Sequence, residues 1–209
     1  MIKGERMKME ASAPNRIASC SRTTRETNID VAIAIDGKGL CNADTKIGFL
    51  DHMLDLLARH GGLDLNVKAD GDLRVDGHHT VEDIGIVLGK AIVEALGDKK
   101  GIRRYGFASI PMDETLAVCS LDISGRPFLV FDAKFSSDRV GDFDTELTEE
   151  FFRALAFQAG ITLHLRCEYG GNDHHKVEAM FKAFARAFRE AVSIDTRFAD
   201  QIPSTKGIL

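Results

Sequence analysis

The sequence predicts an α+β protein built from two pseudo-symmetric half-units, each mixing strands with helices, whose sheets pack around a helical bundle. Three gapless matches between the halves carry that prediction. Residues 26 to 38 (ETNIDVAIAIDGK) match 114 to 126 (ETLAVCSLDISGR), and 51 to 62 (DHMLDLLARHGG) match 149 to 160 (EEFFRALAFQAG). Residues 78 to 96 (HHTVEDIGIVLGKAIVEAL) match 174 to 192 (HHKVEAMFKAFARAFREAV), so the order of segments is the same in both halves. Self-similarity at a period of about 90 residues marks a supersecondary unit used twice. Its alternation of strands and helices belongs to a layered fold rather than to a bundle or a sandwich.

Each element has a local cause. Residues 16 to 36 hold two strand-like runs. In the second, Ile29, Val31, Ile33 and Ile35 alternate with small or polar residues before the Gly37-Lys38-Gly39 turn, which gives a hairpin with one apolar face. From 47 to 59, Phe49, Leu50, Met53, Leu54 and Leu57 recur at helical spacing, and Gly61-Gly62 ends that helix before a strand at 63 to 69. The stretch DGDLRVDG reads as a loop. Between His79 and Leu96, Val81, Ile84, Val87, Leu88, Ile92 and Val93 again keep helical period, up to Gly97. A new block of strands follows Pro111, and the repeat transfers the same elements to the second half.

These elements divide the chain into a flexible N-terminal arm (1 to 15), a first half-unit (16 to 107), a second half-unit (108 to 200) and a C-terminal tail (201 to 209). Together they form one catalytic domain. The composition, 44% hydrophobic and 28% charged, excludes collagen, coiled coil and wholesale disorder. A formal charge of −5 excludes a general electrostatic grip on nucleic acid or on anionic lipid. No apolar run approaches the roughly 18 residues of a membrane helix, and MIKGERMKMEASAPN lacks a secretory apolar stretch, so a cytoplasmic protein is expected. Cys20, Cys41, Cys119 and Cys167 form no CxxC pair and read as buried thiols rather than disulfides or a zinc knot.

The chemistry gathers at HHxVE, which occurs twice. Histidine and glutamate at i and i+4, as in His78 and Glu82 or His174 and Glu178, share one helix face and can chelate one ion through nitrogen and oxygen. The adjacent His79 and His175 are turned by about 100° and serve a different metal, unless one lies in the non-helical cap turn. Paired histidines at a helix start can also be simple capping residues, but repetition at matched positions favours two metal centres. Nitrogen and oxygen donors without thiolate suit manganese, iron or zinc in octahedral geometry. The repeat also sets His52 opposite Glu150.

The chain resembles the imidazoleglycerol-phosphate dehydratase family from about Arg22 to Leu209. The motifs that carry the resemblance are FLDHML, DGHHTVED, RYG, PMDETLA, DISGRP, NDHHKVEAMFKAFARA and PSTKG, all in order. The resemblance implies a fold related to the second domain of a small-subunit ribosomal protein. It also implies a hollow homo-24-mer with active sites built between subunits and two Mn²⁺ per active site. The implied metal ligands are His52, His78, His79, Glu82, Glu150, His174, His175 and Glu178. Many relatives carry histidine at the position of Glu150, and some carry glutamine at that of Leu56.

The implied reaction takes water from D-erythro-imidazole glycerol phosphate to give imidazole acetol phosphate in histidine biosynthesis. The proton leaves a carbon with no adjacent carbonyl, so the imidazole ring, held as a metal-bound imidazolate, would serve as electron sink through a diazafulvene-like intermediate. Glu26 and Glu178 are the implied catalytic carboxylates. Arg104, Arg126, Lys182, Ser204 and Lys206 are the implied phosphate contacts, and Asp113 and Glu114 would orient metal-bound histidines. His60 reads as a helix C-terminal dipole partner and His164 as strand packing. DGD at 70 to 72 lacks the rest of a phosphatase nucleophile loop. A metal-storage cage and a metal-dependent phosphohydrolase remain as readings of another class; converging cations disfavour the first, and release of inorganic phosphate would identify the second.

Overall fold

A computed structural model describes residues 16–209; the arm at 1 to 15 lies outside the described residues. The first half runs β1 (Ile17–Thr23), β2 (Thr27–Ala34), β3 (Cys41–Asp44), α1 (Gly48–Gly61), β4 (Asp64–Gly71) and α2 (His78–Leu96). The second half repeats this as β5 (Tyr105–Met112), β6 (Thr115–Asp122), β7 (Phe128–Asp132), α3 (Leu147–Ala159), β10 (Thr162–Tyr169) and α4 (Asp173–Val192). A small hairpin, β8 (Arg139–Val140) with β9 (Phe143–Asp144), is inserted before α3 and has no counterpart in the first half.

The two four-stranded sheets have the same order, β1-β2-β4-β3 and β5-β6-β10-β7. In each, an antiparallel hairpin pairs with the strand after the first helix, and a short edge strand joins that strand in parallel, Cys41 opposite Leu65 and Phe128 opposite Thr162. The matched segments of sequence therefore became matched strands and helices. The edge strands β3 and β7 escaped the periodicity reading, because neither is long enough, nor β3 apolar enough, to show an alternating signal.

The helices cross between the halves. α1 packs on α4 and α2 on α3, with a sheet outside each layer. In α1, Leu50, Met53, Leu54 and Leu57 are buried as their spacing predicts. Phe152 and Phe181 meet at 4.8 Å between ring centroids and Phe152 and Phe184 at 5.3 Å, so the second-half helices supply an aromatic centre. Each such ring contributes on the order of 1.5–3 kcal/mol by leaving water. Close approach of α2 to α3 depends on Gly85 and Gly89: a Cβ at Gly89 would lie 2.6 Å from Gln158 Cβ and 2.8 Å from the Leu155 carbonyl oxygen. All four cysteines are free thiols as expected, but only Cys119 is fully buried. Among the described residues no helix is long and apolar enough to cross a membrane.

Candidate active site

Phe49 at the start of α1 lies edge-on against His174 at the start of α4, with ring centroids 5.1 Å apart, while Gly61 at the far end of α1 lies against Ala185. The two helices thus run in the same direction and bring their first turns together. His52 Nε2 comes within 3.5 Å of Glu178 Oε2, and His174 Nε2 lies 3.0 Å from the same oxygen. One ligand atom from each of His52, His174 and Glu178 falls within 4.8 Å of the other two, the one such grouping among the described residues. Two imidazole nitrogens and a carboxylate oxygen, with no thiolate, fit a divalent ion such as manganese, iron or zinc and leave coordination positions for other donors.

Glu178 is nearly buried, and its two oxygens have different neighbours. Oε2 faces the histidines, while Oε1 sits 2.5 Å from Lys182 Nζ. Burial pushes the carboxyl up, but the Lys182 ammonium and the His174 hydrogen bond outweigh it and hold Glu178 below the ordinary glutamate value. The group is therefore an anion at neutral pH despite its burial. The family resemblance implies that Lys182 contacts the substrate phosphate; its first partner here is Glu178.

α2 and α3 repeat the arrangement with different side chains. His78 and Glu82 stand one turn apart on α2, and Glu150 holds on α3 the place that His52 holds on α1. These three do not close into a ligand grouping among the described residues, and Glu150 lies 3.6 Å from Arg153 Nε.

The second histidine of each pair has partners of its own. It meets the first edge-on, with ring centroids 6.1 Å apart in both pairs. His79 Nδ1 sits 3.1 Å from Asp72 Oδ2 and 3.8 Å from Glu26 Oε2. His175 Nδ1 sits 2.8 Å from Glu114 Oε2, with Asp113 Oδ2 at 3.7 Å from Nε2. The carboxylates raise both imidazole pKa values, Asp72 doing most of this for His79 and Glu114 for His175. Glu114 is in turn held far below the ordinary range, first by the Asn172 backbone N–H and then by His175. A carboxylate that accepts a hydrogen bond from Nδ1–H fixes the tautomer in which Nε2 is free to act as a ligand. Sequence reading assigned no role to Asp72 toward His79; the signal available was an acid in the loop just before the histidine pair.

The cations are less free than their number suggests. Arg104 adopts a left-handed backbone (φ 73), and its guanidinium donates to Asp122 at 2.6 and 3.1 Å and to the Pro203 carbonyl at 2.9 Å. Two of its five N–H groups remain available. It moors the tail, bringing Ser204 beside a surface cavity of about 820 Å³ that Arg103, Arg104, Tyr105, Arg197 and Ser204 line. That cavity lies along the tail, and none of the three clustered metal-ligand candidates lines it. Arg126 is exposed, 3.6 Å from Asp122, and Lys206 donates its backbone N–H to Ser204 Oγ.

Two histidine expectations are corrected. Burial, helped by Lys182 and Arg186, lowers the His60 pKa, so at neutral pH it is not the cation a helix C-terminus would attract. His164 points outward from β10 and is exposed rather than packed.

The family model for imidazoleglycerol-phosphate dehydratase matches residues 45–188. A curated imidazoleglycerol-phosphate dehydratase of Acetivibrio thermocellus is 59% identical over 189 residues, 90% of this chain and 96% of that one. The corresponding protein of Heliobacterium modesticaldum is 58% identical over 194 residues, 93% of this chain and 100% of its own. A crystal structure of the Staphylococcus aureus dehydratase superposes with a TM-score of 0.78 at 47% identity, covering 86% of this chain and 99% of that one. The Pyrococcus furiosus enzyme, in complex with (S)-C348, gives 0.78 at 39% identity, covering 90% and 99%. With its doubled topology, its histidine–glutamate cluster and these matches, the chain belongs to the imidazoleglycerol-phosphate dehydratase family of hydro-lyases.

Proposed function

We propose that this chain dehydrates D-erythro-imidazole glycerol phosphate to imidazole acetol phosphate in histidine biosynthesis, as a cytoplasmic Mn²⁺ enzyme. The observation that carries the reading is the convergence of His52, His174 and Glu178 at the parallel start of α1 and α4. His78, Glu82 and Glu150 form the matching set on α2 and α3. His79 and His175 lie outside the one ligand grouping among the described residues and pair with Asp72 and Glu114, so an ion that uses them would need ligands from elsewhere; this supports active sites between subunits, and a homo-24-mer is the assembly we assign. A divalent ion bound at these residues supplies Lewis acidity, which lets the substrate's imidazole ring accept the charge that the reaction develops.

The protein's own groups then have to move two protons. One leaves carbon, and one must reach the departing hydroxyl so that it leaves as water; the enol that remains becomes the ketone. Glu178, anionic beside Lys182, and Glu26, exposed and 3.8 Å from His79, are the two carboxylates placed for this work. Asp113 and Glu114 hold His175 in place. Arg104, Arg126, Lys182, Ser204 and Lys206 bind the phosphate, with Arg104 also holding the tail that brings Ser204 and Lys206 to it.

The test is a dehydratase assay on metal-stripped protein with and without added Mn²⁺, following ketone product and free phosphate together. Ketone formed only with metal is the expected result. Free phosphate in place of ketone would make the chain a phosphohydrolase, and bound Mn²⁺ without turnover would make it a storage or scaffold protein.

A further inference from the structure

The inserted segment 133 to 146 is the largest break in the internal symmetry. β3 reaches α1 through residues 45 to 47, whereas β7 reaches α3 through 133 to 146. The extra length does not wander over the surface. Its hairpin is closed by Arg139 pairing with Asp144 and by the Thr145 N–H donating to the Asp138 carbonyl at 2.9 Å. Gly141, with φ 62, makes the tight turn that sets Asp142 at its tip.

Both arms of the segment end on the helices that carry the metal-ligand candidates. Asp142 Oδ2 accepts the Gly48 N–H at 2.6 Å and Oδ1 the Phe49 N–H at 3.1 Å, so it caps a helix whose own N-cap, Ile47, offers no side-chain acceptor. The next residue, Phe143, is fully buried against Phe49 with ring centroids 5.5 Å apart, and Phe49 rests on His174. At the other arm, Asp173 Oδ2 accepts from Ser136 N at 2.9 Å, Ser136 Oγ at 2.8 Å and Ser137 N at 2.7 Å. Lys176 reinforces this contact by donating to Asp173 Oδ1 and to the Lys134 carbonyl. Asp173 is the residue before His174. One loop thus grips the start of α1, one turn before His52, and the start of α4, just before His174 and about one turn before Glu178.

We propose that segment 133 to 146 is a brace that sets the spacing of His52 from His174 and Glu178, with Asp142 as its positioning residue. The proposal rests on the metal reading above, and it assigns the insertion to one of the two centres only. Among the described residues the connection 45 to 47 makes no such hydrogen-bonded grip on α2 and α3; it reaches the start of α2 only through the Ile47 side chain beside Gly77.

The experiment is a Mn²⁺ titration of the metal-stripped full chain, read by the electron paramagnetic resonance signals of free and bound ion. Wild type is compared with D142A and D142N. D142A is expected to weaken one class of Mn²⁺ sites by about tenfold and to broaden the bound-ion spectrum, the scale typical of residues that orient ligands. D142N, which keeps an acceptor oxygen, should recover most of the affinity. A D142A protein with a lowered melting temperature and wild-type Mn²⁺ binding would reduce Asp142 to a stability role and overturn the proposal. If D142A does not fold, F49L takes its place, with weakened binding expected and unchanged binding overturning the brace. Wild type that binds no Mn²⁺ would overturn the metal reading itself, a result distinct from equal binding by wild type and variant.

Discussion

His52 and Glu150 occupy the same place in the two halves of the chain, yet they face opposite kinds of neighbour. His52 Nε2 lies 3.5 Å from a buried carboxylate, Glu178, whereas Glu150 lies 3.6 Å from the guanidinium of Arg153. The two centres we propose are therefore not chemically equal, since one has an imidazole where the other has a carboxylate that a nearby cation already attracts.

Replacing Glu150 should change metal choice more than stability. Imidazole suits zinc and carboxylate suits manganese, so Glu150→His is expected to shift the Zn²⁺ to Mn²⁺ binding ratio toward zinc by about tenfold. Competition titration of the metal-free protein measures it. An unchanged ratio would remove Glu150 from the ligand set.

Glu178→Gln keeps the shape of the side chain and removes the charge that Lys182 and two histidines share. Turnover is expected to fall by about 10²–10⁴-fold, the range for loss of a proton-transferring group. The measurement is kcat together with bound Mn²⁺ per chain. Activity within a few-fold of wild type would exclude Glu178 from both roles.

Gly89→Ala tests the crossing of the halves. The added Cβ would strike Gln158 Cβ and the Leu155 carbonyl, backbone that cannot swing aside, so α2 must move off α3. Overpacking of this kind costs about 1–3 kcal/mol, which urea unfolding resolves as a lower midpoint. A midpoint equal to wild type would mean that the helix contact is looser than these distances.

Cys41 supplies a pH-dependent prediction away from the metal-ligand candidates. Burial, and then the nearby Asp55 and Asp51 carboxylates, push its thiol up to about 12. Because the folded value lies above the unfolded one, the contribution to stability is complete below the ordinary thiol range and is lost as pH rises through the folded value. Alkylation of Cys41, followed by mass spectrometry, should stay slow at pH 9 in the native protein and become fast once urea unfolds it. Rapid native labelling at pH 9 would contradict the burial.

Much of the fold was legible because local pattern and internal repetition agree. The alternation at Ile29, Val31 and Ile33 and the helical spacing of Leu50, Met53, Leu54 and Leu57 both place these side chains in the core. That adjacent histidines of an HHxVE find different partners, His174 with Glu178 and His175 with Glu114, also follows from helix geometry. What could not be read is which helix meets which. Period and burial say that α1 has an apolar face, and any apolar helix satisfies it, so its partnership with α4 exists only in three dimensions. The grip of Asp142 on Gly48 joins residues far apart in sequence, and no spacing rule reaches that distance. His164 was misread although the alternation with Leu163 and Leu165, both buried, already puts it on the outward face.

The crossed pairing of helices also bears on concentration. A single half-unit would hold HHxVE on one helix and lack the facing helix that brings the third donor, so it could complete the set only by meeting a second copy. Two copies on one polypeptide turn that encounter into a unimolecular event, at an effective concentration fixed by the connection between β4, α2 and β5 rather than by how much protein a solution contains. The His52, His174 and Glu178 grouping thus assembles within one chain, independent of dilution.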